Sequence, residues 1–173
     1  MDSLDHPDPR VDRQRDPEGR KSAAWSRTLS EMEAIADDRR AAGWDVLTVR
    51  ASQTDTVSES MGDDDDFGFY HYLPKSNAEA FERFYDDDFS EYLVYGSALG
   101  RLRFLVIELL DPDRERSVAM ACWYDSAFAN GMIRSADQNG ALYSYIKRID
   151  GTVLGTFEYE EYGPLVQIGQ GTE

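Results

Sequence analysis

Apolar positions are densest between residues 89 and 124, where three candidate strands follow one another. In the middle strand, residues 101–110, the odd and even positions are both mainly apolar, so that Leu105 and Val106 would stand on opposite faces. Such a strand is expected in the interior of a fold, because a half-exposed strand alternates apolar with polar residues. Turn residues at 97–100 and 111–113 predict antiparallel pairing with the strands on either side.

Periodic segments on both sides of this region predict the rest of the fold. Helical spacing predicts three helices, at 22–42, from Ser76 to the aspartates 86–88, and from 125 or 126 to 139. The second of them would begin with a capping box from Ser76 to Glu79. The remaining predicted strands are 44–51, 67–73, 141–149 and 152–159, and residues 52–66 are predicted as a polar loop.

The predicted order of elements is therefore αββαβββαββ. This order indicates an α+β fold with a mainly antiparallel sheet of about six or seven strands and three helices. Residues 1–21 are predicted to be a disordered tail rich in charge and proline, residues 22–159 a single domain, and residues 160–173 a second tail.

The amino-acid composition indicates the cellular location that is expected for the protein. The chain contains no run of 18 apolar residues, so no membrane span is predicted. Residues 1–20 also contain no apolar signal segment. The single cysteine, Cys122, excludes an internal disulfide, which favours a reduced cytoplasmic location.

The charge of the chain suggests an adaptation to high salt. The chain has 34 acidic and 18 basic residues, a net charge of −16, and only three lysines. Acidic, lysine-poor composition suits a cytoplasm of high salt, because concentrated ions screen the repulsion between carboxylates. The alternative is an ordinary acidic protein with a well-solvated surface. The same charge argues against nucleic-acid binding, which draws on lysine and arginine.

Several segments resemble a known protein family. They are Trp25–Ala36, Gly43–Val49, Phe67–Phe69, Tyr92–Tyr95, Leu109–Pro112 and Leu142–Thr152. Together they resemble an uncharacterised domain family of halophilic archaea, over about residues 22–159. The resemblance agrees with the salt argument and implies no activity, so no functional residue is carried over from it.

Metal and cofactor chemistry has little support in the sequence. The four adjacent aspartates at 63–66 lack the alternate spacing of a calcium loop, and two histidines with one cysteine cannot form a typical zinc site. Cys122 is expected to be a buried, inert thiol. We therefore predict no metal and no cofactor.

Two residues are low-priority catalytic candidates. Glu108 interrupts the apolar even face of the central strand, and a buried carboxylate is costly unless it is paired. Its predicted partners are Arg148, Tyr143, Tyr145 and His71, and the simpler interpretation is a strand-end glutamate that reaches water or a tyrosine. His71 is the one histidine outside the predicted tail, so an enzyme or small-ligand site would use Glu108 and His71 as an acid–base pair in an aromatic-lined cleft.

Tyrosines support a different class of function. The chain has ten tyrosines, and many lie on predicted strands, where their rings suit interfaces that are apolar at one end and wet at the other. The predicted binding residues are Tyr70, Tyr72, Tyr95, Tyr143 and Tyr145. The favoured hypothesis is a non-catalytic binding or accessory domain that docks a protein partner or a second copy of itself; the enzyme remains the alternative.

Overall fold

The computed structural model describes residues 17–168, and within them the chain forms four helices and eight strands. The helices are α1 (Pro17–Ala41), α2 (Lys75–Phe84), α3 (Asn130–Asn139) and α4 (Gly163–Val166). The strands are β1 (Asp45–Arg50), β2 (Gln53–Val57), β3 (Gly68–Leu73), β4 (Glu91–Leu99), β5 (Leu102–Asp111), β6 (Arg116–Asp125), β7 (Leu142–Arg148) and β8 (Val153–Tyr159). Short 3₁₀ turns occupy Asp63–Asp65 and Ser126–Phe128.

The strands form two sheets of four. Sheet A has the order β1-β6-β5-β4, and sheet B has the order β2-β3-β7-β8. One pair in each sheet is parallel, β1 with β6 and β3 with β7, and the other pairs are antiparallel. The predicted α+β class is confirmed. The predicted single, mainly antiparallel sheet of six or seven strands with three helices is wrong, because two mixed sheets and a fourth helix are present.

The chain passes from one sheet to the other just after β1. The amide of Ala51 donates to the carbonyl of Ala121 in β6, and the next amide, that of Ser52, donates to Tyr72 in β3. Strand β2 follows at once and pairs with β3. It lies in the segment 52–66 that was predicted as a loop, because a five-residue strand with one apolar side chain, Val57, gives a weak alternating pattern.

The inner faces of the two sheets share one hydrophobic core. Leu105 of β5 and Phe69 of β3 both belong to it, and α2 and α3 add Phe81 and Met132. Burial of such side chains stabilises the fold by about 1.5–3 kcal/mol each. The two sheets therefore depend on each other for burial of their inner faces.

Helix α1 covers the outer face of sheet A. Its residue Met32 packs against Val106 and Ala119 in a separate cluster. Leu105 and Val106 are both 0% exposed, one in the shared core and the other beneath α1. The prediction that the central strand is covered on both faces is confirmed.

The helix ends differ from the predictions in three places. α1 begins at Pro17, five residues before its predicted start. The N-cap of α2 is Pro74, and no side chain caps that helix, so the capping box from Ser76 is wrong. α4 lies in the predicted C-terminal tail and buries Leu165. The tail predictions for residues 1–16 and 169–173 lie outside the described residues.

Gly140 ends α3 with a left-handed backbone (φ 76°), as the sequence predicted. Among residues 17–168, no helix combines the length and the apolar character required to cross a membrane.

Candidate functional site

The outer face of sheet B carries a group of aromatic side chains. Along β3 and β7, alternate residues point outward, and the parallel register places Tyr70 beside Tyr145 and Tyr72 beside Lys147. Tyr143 comes two residues before Tyr145 on the same face. We call these five residues, Tyr70, Tyr72, Tyr143, Tyr145 and Lys147, the tyrosine face.

No helix of the described chain packs onto this face. The outer cluster consists of Val57 and the four tyrosines, whereas the buried residues of α2 and α3 belong to the core between the sheets. Tyr70 and Tyr145 shield each other, with ring centroids 5.4 Å apart in an edge-to-face arrangement, and are 6% and 8% exposed. Tyr72 and Tyr143 are half-buried, so each is partly exposed to solvent.

Lys147 lies in the middle of the tyrosine face. Its ammonium is 3.6 Å from the ring centroid of Tyr70, 5.7 Å from that of Tyr72 and 3.7 Å from a carboxylate oxygen of Asp63. The side chain is only 4% exposed. The tyrosines therefore already hold one cation against their rings, by the cation–π attraction that favours lysine and arginine over aromatic faces.

The acidic segment 63–66 folds against one end of the face. The hydroxyl of Tyr70 donates to Oδ2 of Asp66 (3.0 Å) and accepts from the amide of Asp63 (2.8 Å). Burial, and to a smaller extent the hydrogen bond to Asp66, raises the pKa of Tyr70 to about 12, whereas the hydrogen bond from the amide of Asp63 lowers it. The described residues contain no cluster of three or more metal-ligating side chains, at these aspartates or elsewhere.

Further carboxylates border the face. The strand register places Asp55 of β2 beside Tyr70, and Glu158 of β8 beside Tyr143. Burial is the main cause of the raised pKa values of Tyr72 and Tyr143. The nearby carboxylate raises the pKa further in both cases, that of Asp55 for Tyr72 and that of Glu158 for Tyr143. The tyrosines are therefore neutral aromatic groups inside a negatively charged border.

Tyr95 does not belong to the tyrosine face. It lies in β4 of sheet A and packs with α1 residues in the cluster that contains Met32. Burial first, and then the charge of Glu108, raises its pKa. The prediction that Tyr95 shares one binding surface with the other four tyrosines is wrong, because β4 belongs to the other sheet.

Glu108 is fully buried and paired with Arg39 of α1. Nε and Nη2 of Arg39 donate to the two carboxylate oxygens (2.8 and 2.7 Å), and Oγ of Ser117 donates to Oε2 (2.9 Å). The hydrogen bond to Glu108 raises the pKa of Arg39. The predicted partners of Glu108 are wrong, because the even face of β5 is turned toward α1 and away from sheet B.

His71 is buried on the inner face of sheet B. Nδ1 is hydrogen-bonded to Oγ1 of Thr54 (2.9 Å), Nε2 to Oγ of Ser144 (2.9 Å), and that hydroxyl to the phenol of Tyr159 (2.7 Å). Burial lowers the pKa of His71 to about 3, so the imidazole is neutral. Burial raises the pKa of Cys122 to about 12, in keeping with an inert thiol.

The structure does not bring the two catalytic candidates together. Glu108 points toward α1 and His71 points into the core between the sheets, so that sheet A lies between the carboxylate and the imidazole. Both residues have all their polar atoms hydrogen-bonded within the protein. The acid–base pair required by the alternative hypothesis is not formed.

Comparison with known proteins gives one match. A family model described as a family of unknown function (DUF7529) matches residues 11–167. No curated protein and no solved structure matches the chain. The resemblance to an uncharacterised family is confirmed, and the match supplies neither an activity nor a functional residue.

Proposed function

We propose that the chain, which belongs to the DUF7529 family, is a non-catalytic binding module that docks a partner protein through the tyrosine face of sheet B. One observation carries this proposal: sheet A is covered by α1, whereas the outer face of sheet B has no helix over it in the described chain and carries two partly exposed tyrosines, Tyr72 and Tyr143. Tyrosine rings are enriched in protein interfaces because they bury a large area at a low entropic cost.

The chemistry of the border favours a partner with a basic surface. Asp55, Asp63 and Glu158 lie around or beside the rings, within a chain of net charge −16. Arginine or lysine side chains of a partner would meet these carboxylates at the edge and the faces of Tyr72 and Tyr143 at the centre, as Lys147 does with Tyr70. A second copy fits less well, because a symmetric dimer would bring like charges together.

We also propose that the module works in a cytoplasm of high salt. The excess of carboxylates over lysine supports this, since molar salt shortens the Debye length to about 3 Å and removes most of the repulsion. At such salt, docking depends mainly on the burial of the rings, and the carboxylates act only on partner charges in direct contact with them.

Site-specific cross-linking tests the proposal. A photoreactive phenylalanine analogue at position 72, in cells that make the protein, is expected to capture a partner with a basic surface, and the same analogue at Ala34 of α1 is not. The captured protein is then purified, and its affinity for the wild-type chain is measured. Tyr72→Ala with Tyr143→Ala is expected to weaken binding about 30-fold or more, the loss typical of central aromatic residues in interfaces.

Charge-matched variants distinguish the effect of the border carboxylates on binding from the effect of the net charge. Asp55→Asn with Glu158→Gln is expected to weaken binding, whereas Glu31→Gln with Glu33→Gln, on the exposed side of α1, leaves it unchanged. The proposal is wrong if position 72 captures nothing, if it captures only a second copy of the chain, or if the tyrosine variants bind the partner as tightly as the wild type.

A further inference from the structure

Strand β4 forms one edge of sheet A and is paired on one side only, with β5. None of its nine residues is buried, whereas β5 is buried along most of its length. Within residues 17–168, the backbone of β4 forms no hydrogen bond other than those of its ladder with β5. Unpaired amides and carbonyls along an edge strand are a template for pairing with another strand.

The register of sheet A identifies the unpaired groups. The amide of Ser126 donates to the carbonyl of Arg101 (2.8 Å), which shows that the odd-numbered residues of β5 bond with β6 and the even-numbered residues bond with β4. The β4 partners of these even-numbered residues are odd-numbered, as in the pair of Leu99 with Leu102. The residues of β4 that direct their amides and carbonyls away from the sheet are therefore 92, 94, 96 and 98.

The other three sheet edges are protected by side chains or by their length. In β1, the amide of Arg50 donates to a side chain of α2 (2.7 Å), and in β8 the carbonyl of Thr156 accepts from the hydroxyl of Tyr85 (3.0 Å). β2 has only five residues and lies against β6. β4 has neither a proline nor a bulge, and its one charged residue is Glu91, so it lacks the usual features that prevent edge-to-edge pairing.

The packing around β4 involves its two faces and not its edge. On the outer face, Tyr95 packs with residues of α1. On the inner face, Ile168 lies over Gly96, where an added Cβ would be 2.7 Å from its Cδ1. Residues 96–98 are nevertheless exposed, so the edge is accessible to another strand.

We propose that the free edge of β4 pairs with β4 of a second copy of the chain, antiparallel and symmetric about Tyr95, which joins the two A sheets into one sheet of eight strands. This register pairs the strands over their full length. It places Tyr92 opposite Ala98 of the second copy and Val94 opposite Gly96, so that outward-directed residues meet each other, as antiparallel pairing requires. The two strands would form about eight backbone hydrogen bonds.

The charges around this edge favour a second copy as the occupant. The chain has a net charge of −16, yet β4 has one charged residue, so two β4 strands meet without repulsion along their length. In the symmetric register, Glu91 lies opposite Leu99 of the second copy, at the hairpin end that carries Arg101 and Arg103. Nη1 of Arg103 donates to the carbonyl of Gly100 (2.7 Å), which holds the guanidinium at this end. Opposite charges are therefore brought together at both ends of the paired strands.

Disulfide trapping in the full-length chain tests the pairing and its register. Leu93→Cys is combined with Ser97→Cys, because these positions lie opposite each other in the dimer. Within one chain they are four residues apart, about 13 Å, which is too far for a disulfide. Under mild oxidation, the variant is expected to form linked dimers at least about tenfold faster than Thr152→Cys with Thr156→Cys, an exposed pair of the same spacing in sheet B. Equal rates would refute the proposal.

Sedimentation equilibrium of the full-length protein in about 3 M KCl provides an independent readout. The wild type is expected to be a dimer, and Leu93→Lys is expected to weaken dimerisation at least about tenfold, because a lysine on an edge strand opposes pairing. Ile149→Lys, at a 63% exposed position between β7 and β8, is the control and should dimerise as the wild type does.

The proposal is wrong if the wild type is a monomer at about 100 μM, or if Leu93→Lys dimerises as tightly as the control. Both tests are independent of the proposed docking function, because the tyrosine face belongs to sheet B and stays uncovered in this dimer.

Discussion

The pair of Arg39 and Glu108 makes a quantitative prediction about stability. Glu108 is 0% exposed and accepts hydrogen bonds from Arg39 Nε, from Arg39 Nη2 and from Ser117 Oγ. Arg39→Leu removes the two charge-assisted bonds and leaves a buried carboxylate with only neutral hydroxyl neighbours, those of Ser117 and Tyr95. Breaking a buried ion pair in this way costs about 3–5 kcal/mol of unfolding free energy.

The reciprocal change is expected to cost less. The side chain of Arg39 is 25% exposed, so in Glu108→Leu the guanidinium can turn to water and the new leucine fills the vacated space. We expect a loss of about 1–2 kcal/mol for this variant. The double variant should lie within about 2 kcal/mol of the wild type, because a buried pair replaced by apolar side chains leaves no unpaired charge.

Urea denaturation measures all three variants, in about 3 M KCl so that surface repulsion is screened. Arg40→Leu is the matched control: its exposed pair with Asp37 (3.2 Å) should contribute less than about 1 kcal/mol. The reasoning is refuted if Arg39→Leu costs no more than Glu108→Leu, because the prediction rests on the unequal exposure of the two partners.

Three further predictions concern histidine, glycine and salt. The folded pKa of His71, about 3, lies below the unfolded value of 6.5, so its contribution to stability is complete above pH 6.5 and declines as the pH falls toward 3. Compared with His71→Gln, the wild type should lose about 1.4 kcal/mol more between pH 7.5 and 5.5 in urea titrations; parallel pH profiles would contradict this. Gly68→Ala should lower the unfolding free energy by about 2–4 kcal/mol in the same assay, because φ is +138° and a Cβ would lie 2.0 Å from the carbonyl oxygen of Tyr143; a loss below about 0.5 kcal/mol would count against the close approach. Transfer to about 0.01 M salt should abolish the far-ultraviolet circular dichroism of the fold, and molar KCl should restore it; an unchanged spectrum in dilute buffer would contradict the proposed salt adaptation.

Local patterns along the chain predicted most strands but not their arrangement. The two-residue alternation along β3 correctly predicted that Tyr70 and Tyr72 lie on the opposite face of the strand from His71, because that pattern depends only on neighbouring residues. The split into two sheets could not be predicted, since it depends on where β1 leaves β6, a choice made by contacts with strands far along the chain. The same reason explains the missed partner of Glu108, because Arg39 lies 69 residues away along the chain.

The buried hydrogen bonds of sheet B and its tyrosine face depend on the same strand register. Thr54, His71, Ser144 and Tyr159 come one from each strand of the sheet and form a continuous hydrogen-bonded chain across its inner side. A slip of one residue in β3 would turn His71 outward and Tyr70 and Tyr72 toward the core between the sheets, which would leave the hydroxyls of Thr54 and Ser144 without their partner at a cost of about 1–3 kcal/mol for each unpaired group. The polar chain thus favours the one register that places Tyr70 and Tyr72 on the outer face of sheet B. In this view His71 is a positioning residue for the outer face, which gives a physical reason for a neutral histidine in an apolar core without requiring any catalytic step.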